Sequence, residues 1–465
     1  MNLFREYSYI FLVILFAVLG TLFITSDPPL SLTGHHTPWV DPPVYLDTVK
    51  SKILTGEWNS SAFQIHYPVY IYPVYWMFML FGQSYFVLRI FSVLSVTAGL
   101  FFILTSLKKH IDSRFLFWGS FFLINYVLVM YSRLGLHHCF MFIWTGLSVY
   151  FVSREPDKVV YIFLSGVCAA LAFLTVFYAF IFIVPLFIFI LCETVFFTKQ
   201  LKSILVASGG FLLVLLIYLI AFRLSIEGLF NYLISVFIEK KTQFHGPPTA
   251  HSNVIWQTRF FFGRMPFLTY LSGLFFLIIL FNIKQFYRRF LWFERLGFIW
   301  LGFGIIMLAV FQYRPIRYHL IILPPMILLV IGFLRNYGSS KSVLYNQGRK
   351  YIVILSALFI TFFLLLIDSG IIIIPDKNFI YYMLLLGFFL IIMLTYLYNK
   401  KIFSGKYGML PGIVSTVVFT LGINIFQYYY YFIIPHDNTI VKASRDLPVI
   451  LNDNAVIDGT YANIL

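Results

Sequence analysis

Side chains able to move protons or hold a ligand, among them His35, His36, Asp41, Asp47, Glu57 and His66, fall within one polar stretch, Asp27 to Gly82, between the first and second long hydrophobic runs of this chain. A carboxylate fixed at such a boundary between lipid and water can take the proton of an attacking hydroxyl, and general-base chemistry of that kind needs one positioned acid of suitable pKa. Asp41 is the best placed. It precedes Pro42, and an Asp followed by proline at the first helical position is also an N-cap arrangement. The two roles are compatible, because a capping carboxylate keeps a second oxygen available. Asp47 could join Asp41 as a metal ligand with His35, His36 or His66, but the spacing matches no established metal motif, and a solvated helix face suits Asp47 better. The expected site uses no metal and no cofactor.

The elements that must position these groups are set by composition. A hydrophobic share of 60%, aromatics at 21% and charge at only 11% over 465 residues, with a mean hydropathy of +0.88, exclude a soluble globular chain. Apolar runs long enough to cross about 30 Å of hydrocarbon as helices recur from end to end, and the alternation of a membrane barrel is missing. The predicted fold is an all-α polytopic membrane protein with about thirteen transmembrane helices, at 8–26, 85–106, 115–131, 139–153, 159–176, 178–197, 203–222, 267–284, 292–312, 319–334, 351–368, 379–398 and 410–433. The first run lacks a small-residue cleavage site and fits a signal anchor. Cys139, Cys168 and Cys192 lie in or beside apolar runs, as packing residues rather than disulfides.

With the N-terminus inside, the connections carrying Lys108, Lys109 and Arg114, then Arg154 and Lys158, Lys199 and Lys202, Lys284 to Arg295, Arg335 to Lys350, and Lys400 to Lys406 all become cytoplasmic, as the positive-inside rule requires. Every histidine except His110 then falls outside or at the outer end of a span. The predicted organisation is a transmembrane domain over 1–434, with structured outer loops at 27–83 and 223–266, and a polar outer tail over 435–465 that looks like the start of a further domain. In the first loop Pro42-Pro43, the apolar Val44, Tyr45, Val49, Ile53 and Leu54, and Gly56 give the start, stripe and stop of a short amphipathic helix on the membrane surface. Pro68 to Leu80 is apolar but short and contains Pro73, which predicts an interfacial element rather than a full crossing.

The formal net charge is +15, but the bases are scattered among apolar runs with no nucleic-acid-binding module, so anionic lipid is the expected partner and nucleic acid is not. Arg133, Lys240, Lys241, Arg314 and Arg317 stand on the outer side, where they can converge on phosphate oxygens and stabilise a departing phosphate. Snorkelling to the interface is the alternative for each. Arg314 and Arg317 lie in QYRPIRYH, a link too short to wander. His137 and His138 are predicted to be interfacial anchors, because adjacent helical residues point about 100° apart.

The order of these features resembles the GT-C superfamily of membrane glycosyltransferases, in particular bacterial proteins similar to protein O-mannosyltransferases and to the lipid A aminoarabinose transferase. Three stretches carry the likeness: Asp41 through Tyr45 to Gly56 and Trp58; HYPVYIYPVYWMFMLFGQSYFVLRIFSVL from His66 to Leu94; and RPIRYHLIILPPMILLVIGFL from Arg314 to Leu334. The chain departs from the family pattern where Pro42 follows Asp41 in place of Glu, at Val176 after Thr175, and at Gln243, where Lys240 one helical turn earlier offers the charge.

The resemblance implies transfer of a single sugar from a polyprenyl-phosphate donor to an acceptor hydroxyl at the outer (periplasmic) face of the bacterial cytoplasmic membrane, with inversion. The acceptor would be a lipid, a glycan such as lipopolysaccharide, or a protein. It also implies Asp41 as the base, Arg314, Arg317 and Lys240 or Lys241 on the lipid phosphate, and Tyr318 hydrogen-bonding phosphate or sugar, with His66, Arg133 and Asp47 lining the substrate site. The alternatives are a transporter or flippase of lipid-linked glycans, and an envelope polymerase or ligase. A transporter calls for charges buried at mid-span, and few are found.

Overall fold

The structure, a computed structural model, describes residues 2–24, 48–58, 67–154, 158–193, 202–242, 261–311, 316–338 and 410–429. Among them the chain is helical throughout. Helix α1 (Asn2–Thr21) leads to the polar loop, where residues 48–55 form α2, ending at Gly56 as the sequence predicts. Then come α3 (Pro68–Phe81), α4 (Tyr85–Leu107), α5 (Ser113–Ser120), α6 (Tyr126–Ser132), α7 (His137–Arg154) and α8 (Val159–Thr175). They are followed by α9 (Phe180–Glu193), α10 (Lys202–Ala221), α11 (Ile226–Thr242), α12 (Pro266–Phe281), α13 (Trp292–Val310), α14 (Leu323–Gly338) and α15 (Leu410–Tyr428).

Among the described residues four helical stretches, Tyr85–Leu107, Lys202–Ala221, Trp292–Val310 and Ile316–Asn336, are long and apolar enough to cross a membrane alone, and the number reaches six if each of two bent pairs is one span. Other predicted spans appear as shorter helices, and those at 351–368 and 379–398 lie outside the described residues, as does the tail over 435–465. The span predicted at 115–131 is in fact broken, with α5 and its 3-10 extension meeting α6 at 64°. Asn125 makes the break: its Oδ1 accepts from the amides of Val127 at 2.8 Å and Leu128 at 3.4 Å, capping α6, while Asn424 Oδ1 of α15 accepts from Tyr126 N at 2.7 Å. Side-chain amides thus satisfy the backbone groups a break would otherwise strand in an apolar interior. The span predicted at 267–284 likewise bends by 77° past Asn282.

Lipid offers no hydrophobic drive between helices, so close packing must hold them together, and small residues allow it. A Cβ added to Gly146 of α7 would stand 2.3 Å from the Gly99 carbonyl oxygen of α4, and one added to Gly166 of α8 would stand 2.0 Å from the Ala207 oxygen of α10. Between α7 and α8 the Ser148 hydroxyl donates to the Ser165 carbonyl at 2.9 Å. A second, smaller core beneath the outer-loop helices joins Val49 of α2 with Tyr70, Ile71, Val74, Met77 and Phe78 of α3, and with Leu88 and Phe140 of the bundle. Tyr70 pins α3 down by donating to the Gly135 carbonyl at 2.7 Å, and α3 keeps Pro73 inside 14 helical residues, the short element its sequence predicts.

The two ends of the bundle differ in kind. At the end to which the predicted topology assigns the cytoplasm, Arg295 Nε lies 2.7 Å from Glu193 Oε1, and Arg295 Nη1 donates to the Phe290 carbonyl at 2.7 Å. Glu294, fully buried, accepts from Asn336 Nδ2 at 2.6 Å and from the Leu291 amide at 2.7 Å, and faces Arg335 at 3.5 Å. These contacts lock α9, α13 and α14 together. His110, in the adjoining link between α4 and α5, stands edge-on to Trp292 at 5.8 Å.

Candidate active site

At the other end α1 stops at Thr21, and Phe23 takes a positive φ of 51° as the chain turns away. Helix C-termini leave carbonyls without intrahelical partners and attract cations. Just past that end two buried arginines hold the chain. Arg89 Nη1 of α4 donates to the Ile24 carbonyl at 2.7 Å, and Arg133 Nη2 donates to that of Phe23. Tyr428 of α15 donates to the Leu19 carbonyl at 3.0 Å and also bonds Arg133. The stretch that carries Asp41 therefore leaves from a point held by three later segments.

Arg133 is 2% exposed, so it neither snorkels nor stands at an open mouth; its described contacts hold the end of α1. The predicted interfacial histidines are corrected too. His137 and His138 are each 3% exposed, with ring centroids 4.1 Å apart, because both lie in the first turn of α7, where tyrosines from α3 and other segments close over them. Tyr67 stands 4.9 Å from His137, and Tyr318 5.4 Å from His138; Tyr178 and Tyr318 face each other at 3.8 Å.

Arg317 is the cation of this nest. It is buried, its guanidinium lies 5.1 Å from the Tyr318 ring, and its charge acts on Tyr131, His137, His138 and Tyr178. Arg264, also buried, reaches Tyr131 electrostatically, and its backbone carbonyl accepts from Gln427 Nε2 at 3.3 Å. A small cavity beside it is lined by Asn125, Arg264, Pro266, Thr420 and Asn424. The arrangement can hold an anion and orient hydroxyl groups, with rings excluding water around the charge.

Of the residues predicted to act, the structure brings Arg317 and Tyr318 together and places Arg133 in the α1 cluster. Lys240 and Lys241 lie near the end of α11, one face of which reaches the bundle where Phe237 meets Phe311 at 5.7 Å. Asp41, Asp47, His66 and Arg314 lie outside the described residues. Sequence reasoning passed over Arg89 and Arg264 and demoted His138. For Arg89 a signal existed: an arginine inside an apolar run is costly and needs a partner.

No protein-family model matches the sequence, and no curated protein matches it. Solved structures do. ArnT from Cupriavidus metallidurans bound to undecaprenyl phosphate superimposes with a TM-score of 0.54 at 11% identity, over 97% of this chain and 84% of that one. The same protein in the apo state gives 0.53 at 12% identity over the same shares. Matched along nearly its whole length, this helical chain shares the fold of ArnT.

Proposed function

We propose that this protein is a GT-C-type glycosyltransferase that moves one sugar from a polyprenyl-phosphate donor to an acceptor hydroxyl on the outer side of the cytoplasmic membrane. The observation that carries this is the buried Arg317, set among Tyr131, Tyr178, Tyr318 and the histidine pair, at the end of the bundle where α1 releases the Asp41 stretch. Support comes from the shared fold with ArnT, whose solved structure is bound to undecaprenyl phosphate.

In the proposed reaction the Asp41 carboxylate takes the proton of the acceptor hydroxyl as its oxygen attacks the anomeric carbon. The bond from that carbon to the phosphate oxygen breaks, its electron pair stays on the phosphate, and the configuration inverts. Arg317, with Arg314 and Lys240 or Lys241, stabilises the charge on the leaving phosphate, and Tyr318 orients it. Asp47 and His66 complete the substrate site. Purified wild-type and Asp41→Asn protein in liposomes, given polyprenyl-phosphate sugars and an envelope extract, supply the test. Transfer by wild type and its loss in Asp41→Asn, by about 100-fold or more, is expected. Equal transfer by both removes Asp41 as the base, and lipid movement without transfer points to a flippase.

A further inference from the structure

The proposed function leaves unused the one group of this nest that has the most to gain from a ligand. His138 is 3% exposed, and neither of its ring nitrogens meets a hydrogen-bond partner among the described residues. A buried imidazole without partners carries a desolvation penalty of about 1–3 kcal/mol. It also sits in the first turn of α7, an 18-residue helix whose leading amides and dipole favour negative charge. The Arg317 charge reaches it, and the hydroxyl-bearing rings of Tyr178 and Tyr318 lie beside it at 6.2 and 5.4 Å.

From this geometry we infer that His138 and the N-terminal turn of α7 form, with Arg317, the binding site for the phosphate group of the lipid donor. The assignment rests on the proposed function and adds to it a neutral imidazole that donates a hydrogen bond to a phosphate oxygen. Arg317 supplies the charge, and His138 fixes the angle from which that charge is met. The neighbouring tyrosines close the site against water. His138 is thus a binding residue of the donor head group and not an anchor in the membrane interface.

The test uses the full-length protein in detergent with three probes: decaprenyl phosphate, decaprenol and inorganic phosphate. Wild type is expected to prefer decaprenyl phosphate over decaprenol. His138→Phe, which keeps the ring shape and removes both nitrogens, is expected to weaken decaprenyl phosphate binding about 10- to 100-fold, to leave decaprenol binding unchanged, and to melt no lower than wild type. His138→Gln, which keeps a donor, is expected to recover part of the affinity. Competition by inorganic phosphate in wild type but not in His138→Phe supports a general phosphate site; competition in neither assigns recognition to the lipid-linked group. Unchanged decaprenyl phosphate affinity in His138→Phe overturns the inference, as does a lower melting temperature with equal loss of both lipids. Arg317→Ala separates the two levels: loss there with His138→Phe unaffected keeps the proposed function and rejects His138, whereas loss in neither rejects both.

Discussion

The two ends of this bundle both bury arginines, but they treat them differently. Toward the predicted cytoplasmic side, Arg295 and Arg335 face the carboxylates of Glu193 and Glu294, so charge is matched and the groups serve to fasten α9, α13 and α14. At the other end Arg89 and Arg133 donate to the Ile24 and Phe23 carbonyls, and the Arg317 guanidinium lies 5.1 Å from the Tyr318 ring. One end ties three helices to one another through carboxylates, and the other ties the end of α1 to later segments through hydrogen bonds to its backbone.

Substitutions that cross this contrast show whether it holds. The largest effect is expected from Glu294→Ala, which removes the carboxylate facing Arg335, one of the two acceptors of Asn336 Nδ2 and the cap on the Leu291 amide; breaking a buried network of this kind costs about 3–5 kcal/mol. Thermal unfolding in detergent should register the loss, while transfer per folded molecule stays near wild type. A fall in transfer without a fall in stability would mean that the two ends are not separate in function. Next comes Arg133→Met, which removes charged hydrogen bonds to the end of α1 at about 1.5–3 kcal/mol. It should lower both the melting temperature and transfer, since the Asp41 stretch leaves from that point.

The smallest effect concerns pH. Burial, and then the Lys109 charge, hold the His110 pKa below its ordinary 6.5, so the unfolded chain takes up this proton before the folded one does. The stabilising contribution is therefore complete above about pH 6.5 and is lost as pH falls through the lower folded value. A melting-temperature profile for His110→Gln should decline less steeply on acidification than that of wild type. Identical profiles would remove His110 from the account.

Hydropathy made most helices legible, because the cost of leaving an apolar residue in water is written into composition. It could not show where a helix bends. Across Ile124 and Asn125 the chain stays apolar enough to pass as one span, and the break appears only when Asn125 and Asn424 supply hydrogen bonds from the two sides. Arg317 and Tyr318 were legible because their link is short and lies between two apolar runs. His138 was not: the 100° rule describes a lone helix, whereas rings from other segments decide that both histidines turn inward at the first turn of α7. Arg133 failed for a related reason, since the carbonyl it serves, that of Phe23 just past α1, lies 110 residues earlier in the chain.

That long reach bears on how the protein is made. The end of α1, synthesised before the segments that hold it, receives a bond from Arg89 at a separation of 65 residues, from Arg133 at 110 and from Tyr428 at 409. A nascent chain holds α1 in the membrane long before these partners exist, so its end must first rest on lipid head groups or water. Only when α15 arrives does the last bond form. Synthesis therefore fixes the launching point of the Asp41 stretch late, and a chain halted before Tyr428 would carry the sequence of a site without its foundation.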